Sequence, residues 1–369
     1  MNDFSAGRTW VIKVGSSLLT NHGEGIDHSL VQGWVDDIAV LLERGIRVVL
    51  VSSGAVAEGM QRLGFADRPH SEHVLQAVAA VGQMSLIQIY ESAFQQHSLH
   101  TAQILLTHDD LRSRQRYLNA RNTLKQLLDL GVVPVVNEND TVVTDEIRFG
   151  DNDTLAALVA NLIEAETLLL LTDQRGLMSA NPAEVSDAEL IREMPASERK
   201  LDGMAGEGSA FGRGGMKTKV NAARIAARSG ASTIIASGRK EHVIGALADG
   251  HVDGTLLTAD REAIVARKQW LATLPVRGKL TLDGGACRVL KKEGRSLLSV
   301  GVVQSSGSYT RGDLVVCVDE AGLEIGRGLS NYGSLDVQKL CRVSSDRIES
   351  ILGFVAEEEL IHRDNFILA

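Results

Sequence analysis

Short apolar runs alternate with longer amphipathic stretches through the first two-thirds of the chain. Six runs rich in β-branched residues and leucine predict strands that are buried on both faces. They read WVIKV, RVVLV, TAQILL, VVPVV, TLLLLT and STIIA. The stretches between them predict helices over residues 28–44, 73–97, 117–129, 152–164 and 217–229. This alternation favours an α/β fold with a mainly parallel open sheet that is sandwiched by helices.

The pattern changes after Gly254. A polar stretch without strand rhythm gives way to short strands and glycine turns in GKLTLDGGACRVL, SLLSVGVV, GSYTRGDLVVCVD and EIGRGLSNYG. Residues 344–352 predict a helix, and VVTDEIR at 142–148 predicts a hairpin arm. We therefore expect an α/β domain over residues 1–260, a linker over 261–277 and a small, mostly β domain over 278–369.

Charge and cysteine content narrow the class of protein. The formal net charge of -9 disfavours a general affinity for nucleic acid or for an anionic membrane. The chain has 3 cysteines and no CxxC pair, which fits a reducing compartment better than a disulfide framework. It shows no signal region and no apolar run near the roughly 20 residues that span a bilayer. We expect a soluble, cytoplasmic protein.

Two predicted strands run into glycine and serine residues. IKVGSSLL places Lys13 and Gly15 at the end of the first strand, and VSSGAVAEG places Ser53 and Gly54 between a strand and a helix. Exposed amides and a nearby ammonium group suit an anion such as phosphate. A lysine that points to solvent and a serine that caps the helix are the simpler alternatives.

A third strand ends in LLLLTDQRG, at Thr172 and Asp173. Ligands of open α/β sheets bind outside the carboxyl ends of the strands, so these two residues are candidates for ligand contact. An ordinary aspartate turn is the alternative.

The segment FGRGGMKTK at 211–219 places glycines before a helix that opens near Met216. Lys217 and Lys219 fall in the first helical turn, where the positive end of the helix dipole disfavours them. A bound polyanion removes that conflict, so the segment indicates phosphate binding, although it is not a Walker A motif. Solvated lysines on a flexible loop are the alternative.

Carboxylates and amides cluster at residues 137–140 and 151–153. Asp153 is a candidate to pair with the ammonium groups of two lysines and hold them in place. Asp140 and Asn152 are candidates for the ammonium end of an amino acid, with Ser53 and nearby amides at its carboxylate. Caps and turns around VVTDEIR are the alternative.

Taken in order, these segments resemble the amino acid kinase superfamily, and within it the glutamate 5-kinase branch. The resemblance rests on VIKVGSSLLT, VVLVSSGAVAEG, VVPVVNENDTV, FGDNDTLAALVA, LLLLTDQRGL and FGRGGMKTK, which span nearly all of residues 9–257. The C-terminal segments LDGGACRVL, SLLSVGVV, GSYTRGD and IGRGLSNY resemble a PUA domain.

The resemblance implies ATP-dependent phosphorylation of the γ-carboxylate of L-glutamate, the first step of proline biosynthesis. It implies ATP and magnesium as cofactors, proline as a feedback inhibitor, a homo-oligomer and a hand-off of product to a reductase. It also implies a role for each matching residue. Catalysis falls to Lys13, Asp153 and Lys219; glutamate binding to Ser53, Gly54, Asp140 and Asn152; and ATP binding to Lys13, Gly15, Thr172, Asp173, Arg213, Gly214, Gly215, Met216, Lys217, Thr218 and Lys219.

Three positions depart from the family pattern at the nucleotide edge: Arg213, Met178 and Asn181. Two other functions remain as alternatives. One is another amino acid kinase, acting on acetylglutamate or aspartate, for example. The other is an RNA-binding protein led by the C-terminal domain, which its excess of acidic over basic residues disfavours.

Overall fold

Eight strands of the described residues form the central sheet in the N-terminal part of the chain. The computed structural model describes residues 8–20, 25–143, 152–180, 185, 187–205, 215–259 and 275–369. The strands are β1 (Thr9–Val14), β2 (Arg47–Val51), β3 (Thr101–Leu106), β4 (Val133–Glu138), β5 (Thr167–Thr172), β6 (Glu193–Pro195), β7 (Ser232–Ser237) and β8 (Gly254–Thr258). Their order across the sheet is β3-β4-β2-β1-β5-β7-β8-β6. Every neighbouring pair is parallel except β7 and β8, so the predicted mainly parallel sheet is confirmed.

The helices follow the predicted alternation. They are α1 (Ser16–Leu19), α2 (His28–Glu43), α3 (Ala55–Leu63), α4 (Glu72–Gln95), α5 (His108–Arg112), α6 (Arg114–Asp129), α7 (Asn152–Ile163), α8 (Lys200–Met204), α9 (Met216–Ala227) and α10 (Val243–Ala248). The five predicted helices correspond to α2, α4, α6, α7 and α9, and no end differs by more than three residues. No helix within the described ranges is long and apolar enough to cross a membrane.

Alternation along β1 decides which face of the sheet receives each side chain. Trp10, Ile12 and Val14 join a core formed with α2, α4 and α10. Val11 and Lys13 have the opposite parity. They therefore point to the other face, where α7 packs against β1 and α9 packs against α7. This parity sends the Lys13 side chain towards the first turns of α7 and α9.

One strand differs from the expectation of burial on both faces. β1, β4 and β5 are buried throughout, whereas in β3 only Leu106 is buried. Among the described residues, β3 is an edge strand of the sheet and pairs with a neighbouring strand on one side only. The prediction for TAQILL was therefore right on the strand and wrong on its burial.

The C-terminal part of the chain contains a separate five-stranded sheet. Its strands are β9 (Val276–Leu282), β10 (Val302–Gly307), β11 (Leu314–Val318), β12 (Glu324–Leu329) and β13 (Phe366–Leu368), in the order β10-β9-β11-β12-β13. Helices α11 (Gly284–Arg288), α12 (Ser334–Leu340) and α13 (Ile348–Leu352) accompany it. The predicted helix at 344–352 is confirmed by α13 and the 3-10 turn before it.

Short strands and a glycine turn were expected across GKLTLDGGACRVL, and this was wrong for the second part of the stretch. It forms α11, which runs on into a π-helical turn at Val289–Glu293. The Asp283 carboxylate accepts a hydrogen bond from the backbone N–H of Ala286 (2.7 Å). That cap begins a helix at a position where glycines alone suggested a turn.

The chain divides into two compact units, Met1–Arg112 with Asn119–Ala263 and Ser113–Leu118 with Ile264–Ala369. The predicted domain bounds, with a linker at 261–277, stay a prediction because residues 260–274 lie outside the described residues. The predicted hairpin arm at 142–148 lies largely outside them as well.

Candidate active site

One buried carboxylate binds two lysines at the carboxyl edge of the sheet. The Lys13 Nζ lies 2.6 Å from one oxygen of Asp153, and the Lys219 Nζ lies 3.0 Å from the other. All three residues are buried: Lys13 is 6% exposed, Asp153 is 1% exposed and Lys219 is 5% exposed. The structure thus brings together the three residues predicted for catalysis.

Local structure explains why these residues meet. Asp153 is the second residue of α7 and Lys219 the fourth of α9, and the two helices pack against each other. Lys13 approaches from β1 on the same face of the sheet. An aspartate in the first turn of a helix is also favoured by the helix dipole.

The two ammonium groups keep the Asp153 carboxylate ionised. Burial alone would raise its pKa, but Lys13 and Lys219 together hold the pKa well below the usual range. The Thr218 hydroxyl adds a donor, because it lies 2.8 Å from both Asp153 Oδ2 and the carbonyl oxygen of Gly215. The carboxylate is therefore a fixed negative charge that positions two lysines.

The two lysines of the FGRGGMKTK segment have different surroundings. Lys219 is buried against Asp153, whereas Lys217 is exposed. Helix α9 begins after Gly215 without a side-chain cap. The unfavourable dipole position of Lys219 is thus already offset by a protein carboxylate, so a polyanion is not needed to explain this lysine.

A network of amides lies next to the lysines. The Asn152 Nδ2 lies within hydrogen-bonding distance of the Ser52 carbonyl oxygen (2.6 Å), the Asn137 Oδ1 (2.9 Å) and the Ser53 Oγ (3.1 Å). Asn152 directly precedes Asp153, so this network and the lysine pair share the first turn of α7. An ammonium group donates hydrogen bonds, so the role predicted for Asn152 falls to its Oδ1.

Gly54, rather than a serine, caps α3. Its φ of 92° lies in the left-handed region, which glycine adopts without strain. Ser53 instead faces Asn152, and the Ser52 Oγ shares a hydrogen bond of 3.1 Å with the Tyr90 hydroxyl. The simple alternative of a serine cap is therefore wrong.

Helix α4 supports this region with three polar side chains spaced by seven residues. The Gln76 amide donates to the Val143 carbonyl oxygen (3.1 Å), and the Asn137 amide donates to Gln83 (2.6 Å). Tyr90 completes the series at Ser52. The sequence analysis missed Asn137, Gln83 and Tyr90 as site residues. The recurrence of Gln76, Gln83 and Tyr90 at every seventh position, along one face of the helix, was the available signal.

Asp140 follows β4 in a half-buried turn. Burial raises the pKa of its carboxyl to about 6, and the positive charge of Arg68 opposes this rise. A half-buried carboxylate that gains an ammonium ligand is stabilised in its charged form. The position is compatible with the predicted role in binding an amino group.

The residues predicted for nucleotide binding lie at the ends of β1 and β5. The Gly15 N–H donates to the Leu171 carbonyl oxygen (3.2 Å), which joins the two strand ends. The Thr172 hydroxyl donates to Asp173, whose side chain is exposed. Gly215, Met216 and Thr218 belong to the start of α9.

Two residues predicted to bind ATP, Arg213 and Gly214, lie outside the described residues, as do Asn181 and Asp151. Met178 forms an isolated antiparallel β-bridge with Leu190. Within the described residues, no three side chains of His, Cys, Asp or Glu form a group that could hold a metal ion.

Comparisons with known proteins show the family to which the chain belongs. The model of the amino acid kinase family matches residues 8–237, and the model of the PUA domain matches residues 278–352. The chain is 61% identical to the glutamate 5-kinase of Alcanivorax borkumensis, over 97% of this chain and 96% of that protein. It is 59% identical to the glutamate 5-kinase of Saccharophagus degradans, over 98% and 97%.

A glutamate 5-kinase of Pseudomonas putida is 57% identical over 98% of both chains. These likenesses extend through both compact units, so they cover the α/β sheet with its candidate site and the C-terminal β-rich sheet. The chain belongs to the amino acid kinase family and, within it, to the glutamate 5-kinases that carry a C-terminal PUA domain.

Proposed function

We propose that this protein transfers the γ-phosphoryl group of ATP to the γ-carboxylate of L-glutamate and forms L-glutamyl 5-phosphate. The observation that carries the proposal is Asp153, which holds Lys13 and Lys219 beside the Asn152 network. Two ammonium groups suit a transferring phosphoryl group, and the adjacent amides and hydroxyl suit a small polar substrate.

The reaction needs no general base. A carboxylate is ionised at pH 7, so its oxygen attacks the γ-phosphorus directly. A new bond forms between that oxygen and phosphorus, the bond from phosphorus to the bridging oxygen breaks, and ADP leaves with the electron pair. Catalysis then depends on positioning and on neutralising the charge of the phosphoryl oxygens. We assign that neutralisation to Lys13 and Lys219.

The remaining roles are assigned by position. We propose that Ser53, Gly54, Asp140 and Asn152 bind glutamate, and that Gly15, Thr172, Asp173 and the segment 213–219 bind ATP. Asp153 is a positioning residue, because both of its oxygens are engaged by the lysines.

We propose that magnesium enters with the nucleotide. When bound, it supplies positive charge to the phosphate oxygens. The described residues present no carboxylate cluster to hold it, and Asp153 is engaged elsewhere. Phosphate oxygens and water are therefore its expected ligands.

The wider role follows from the product. We propose that the enzyme acts in the cytoplasm at the first step of proline biosynthesis, as a homo-oligomer that proline inhibits at the glutamate site. An acyl phosphate hydrolyses readily, so we also propose its hand-off to the following reductase. Proline inhibition is checked by measuring the rate at millimolar proline, and hand-off by trapping intermediate that escapes when both enzymes are present.

The test of the proposed reaction is hydroxylamine trapping with ATP, magnesium and L-glutamate. Hydroxylamine converts an acyl phosphate to a coloured hydroxamate. We expect signal with L-glutamate, little with acetylglutamate or aspartate, and loss of signal in Lys219→Ala. Folded protein that binds ATP but yields no hydroxamate from glutamate would overturn the proposal. Signal with acetylglutamate or aspartate instead would point to another branch of the family.

A further inference from the structure

We propose that Arg68 binds the α-carboxylate of the amino acid substrate and makes the enzyme selective for a free carboxylate at that end. This inference rests on the proposed function, because it concerns the same substrate. Arg68 lies in the connection between α3 and α4 and is not among the residues that the sequence motifs indicated.

The path of the chain brings this connection to the glutamate-binding region. Helix α3 begins next to Ser53, and α4 returns along the same region with Gln83 at Asn137. In the second turn of α4, Gln76 donates to the carbonyl oxygen of Val143, three residues beyond Asp140. The connection that precedes α4 therefore lies beside the turn that carries Asp140.

Burial shows where the connection turns inward. Residues 61–67 are all exposed, whereas Arg68 and Pro69 are half-buried. A long charged side chain that is half-buried in an otherwise exposed connection is directed along the protein surface rather than into solvent. Its charge acts on Asp140 and lowers the pKa of that carboxyl against the effect of burial.

The chemistry of an amino acid matches this pair of charges. Its ammonium and α-carboxylate groups share one carbon, so a site that binds both needs an anion and a cation close together. Asp140 supplies the anion. Lys13 and Lys219 are bound to Asp153 at the phosphoryl end, whereas Arg68 lies on the Asp140 side and can bind a carboxylate with two parallel hydrogen bonds.

L-Isoglutamine separates this role from a merely structural one. It keeps the γ-carboxylate and the ammonium group of glutamate but carries a neutral amide in place of the α-carboxylate. Hydroxamate trapping on both substrates gives kcat/KM for the full-length wild type, Arg68→Gln, Arg68→Lys and Arg62→Gln. Arg62 is the matched control, because it is an exposed arginine in the last turn of α3, before the same connection.

We expect Arg68→Gln to lower kcat/KM for glutamate by about 10- to 100-fold, the usual cost of a hydrogen bond to a charged group. The value for isoglutamine and the KM for ATP should stay within about threefold, so the preference for glutamate falls by nearly the same factor. Arg68→Lys keeps the charge but loses the paired geometry, and we expect a smaller fall in that preference, of about threefold to tenfold. Arg62→Gln should leave the preference unchanged.

An equal loss on both substrates, or an effect of Arg68→Gln no larger than that of Arg62→Gln, would overturn the assignment of Arg68. If Arg68→Gln does not fold, the preference measured in Arg68→Lys decides, and an unchanged preference there also overturns it. Wild-type protein that forms no hydroxamate from glutamate would contradict the proposed function itself, so the two failures are distinguishable.

Discussion

The two halves of the candidate active site are held together by different forces. In the phosphoryl half, ion pairs of 2.6 and 3.0 Å fix Lys13 and Lys219 on Asp153. In the glutamate half, the neutral side chains of Asn137, Asn152 and Ser53 form hydrogen bonds with one another, and Asn137 also donates to Gln83 on α4.

The difference suits the role that we propose for each half. Charges that are buried but paired stay in place and meet a highly charged ligand without moving. A neutral network costs less to bury, and its donors and acceptors discriminate between substrates of similar charge. We therefore expect changes in the phosphoryl half to act mainly on kcat and changes in the glutamate half to act mainly on the KM for glutamate.

The largest effect is expected for Asp153→Asn. It leaves two buried ammonium groups without their carboxylate, which typically costs about 3–5 kcal/mol of stability. We also expect kcat to fall by roughly 10³-fold or more, because the lysines lose their position. Thermal melting and hydroxamate kinetics check the two effects. A variant with normal kcat would show that Asp153 does not position the lysines.

A comparison of Lys219→Met with Lys217→Met sharpens the assignment within the FGRGGMKTK segment. Lys219 is buried against Asp153, so we expect its loss to lower kcat by about 10²- to 10³-fold. Lys217 is exposed, and its loss should change kcat by less than about threefold and act on the KM for ATP. Similar losses of kcat in both variants would contradict the distinction.

Asn137→Ala tests the neutral network. Its side chain joins Gln83 on α4 to Asn152, so removing it takes the donor from Gln83 and one of three acceptors from Asn152. We expect the KM for glutamate to rise by about 10- to 100-fold, with the KM for ATP within about threefold. The tyrosine variant Tyr90→Phe, which loses only the bond to Ser52, serves as a milder control. A large change in kcat with an unaltered KM for glutamate would contradict the expectation that this half acts mainly on the KM for glutamate.

The smallest effect is expected from pH. The pKa of Asp140 is raised to about 6 by burial, so the carboxylate that would bind the ammonium group is protonated below that value. The KM for glutamate should rise as pH falls through 6, approaching tenfold per pH unit, whereas the KM for ATP should not follow it. The control is Asp140→Asn, whose KM for glutamate should be high at every pH. A wild-type profile that is flat between pH 7 and 5 would exclude this role.

Linkage to folding has the opposite sign for the two acids. The raised pKa of Asp140 means that stability from this group is greatest at low pH and is lost as pH rises through about 6. The lowered pKa of Asp153 means that this group stabilises the folded state at every pH above the ordinary pKa of a carboxyl. That stabilisation is lost as the pH falls into strong acid, through the lowered pKa.

Local patterns were sufficient for the fold class and for much of the phosphoryl half. Fully apolar runs such as TLLLLT predicted central strands, and Lys13, Asp153 and Lys219 stood out at element boundaries. The same patterns did not reveal the edge position of β3, the cap that turns DGGACRVL into α11, or Gly54 in place of a serine at the start of α3. Each of those depends on a neighbour or a backbone angle rather than on hydrophobic period.

The sequence by itself determined the alternation of strands and helices, because periodicity follows directly from which faces of each element are buried. It also determined where charged residues fall at strand ends and helix starts. Only the tertiary structure decided that Lys219 rather than Lys217 is buried on Asp153, and that Gln76, Gln83 and Tyr90 of α4 face the glutamate half. Those contacts join residues 38 to 67 positions apart, and such pairings depend on the strand order and helix packing that only the folded chain establishes.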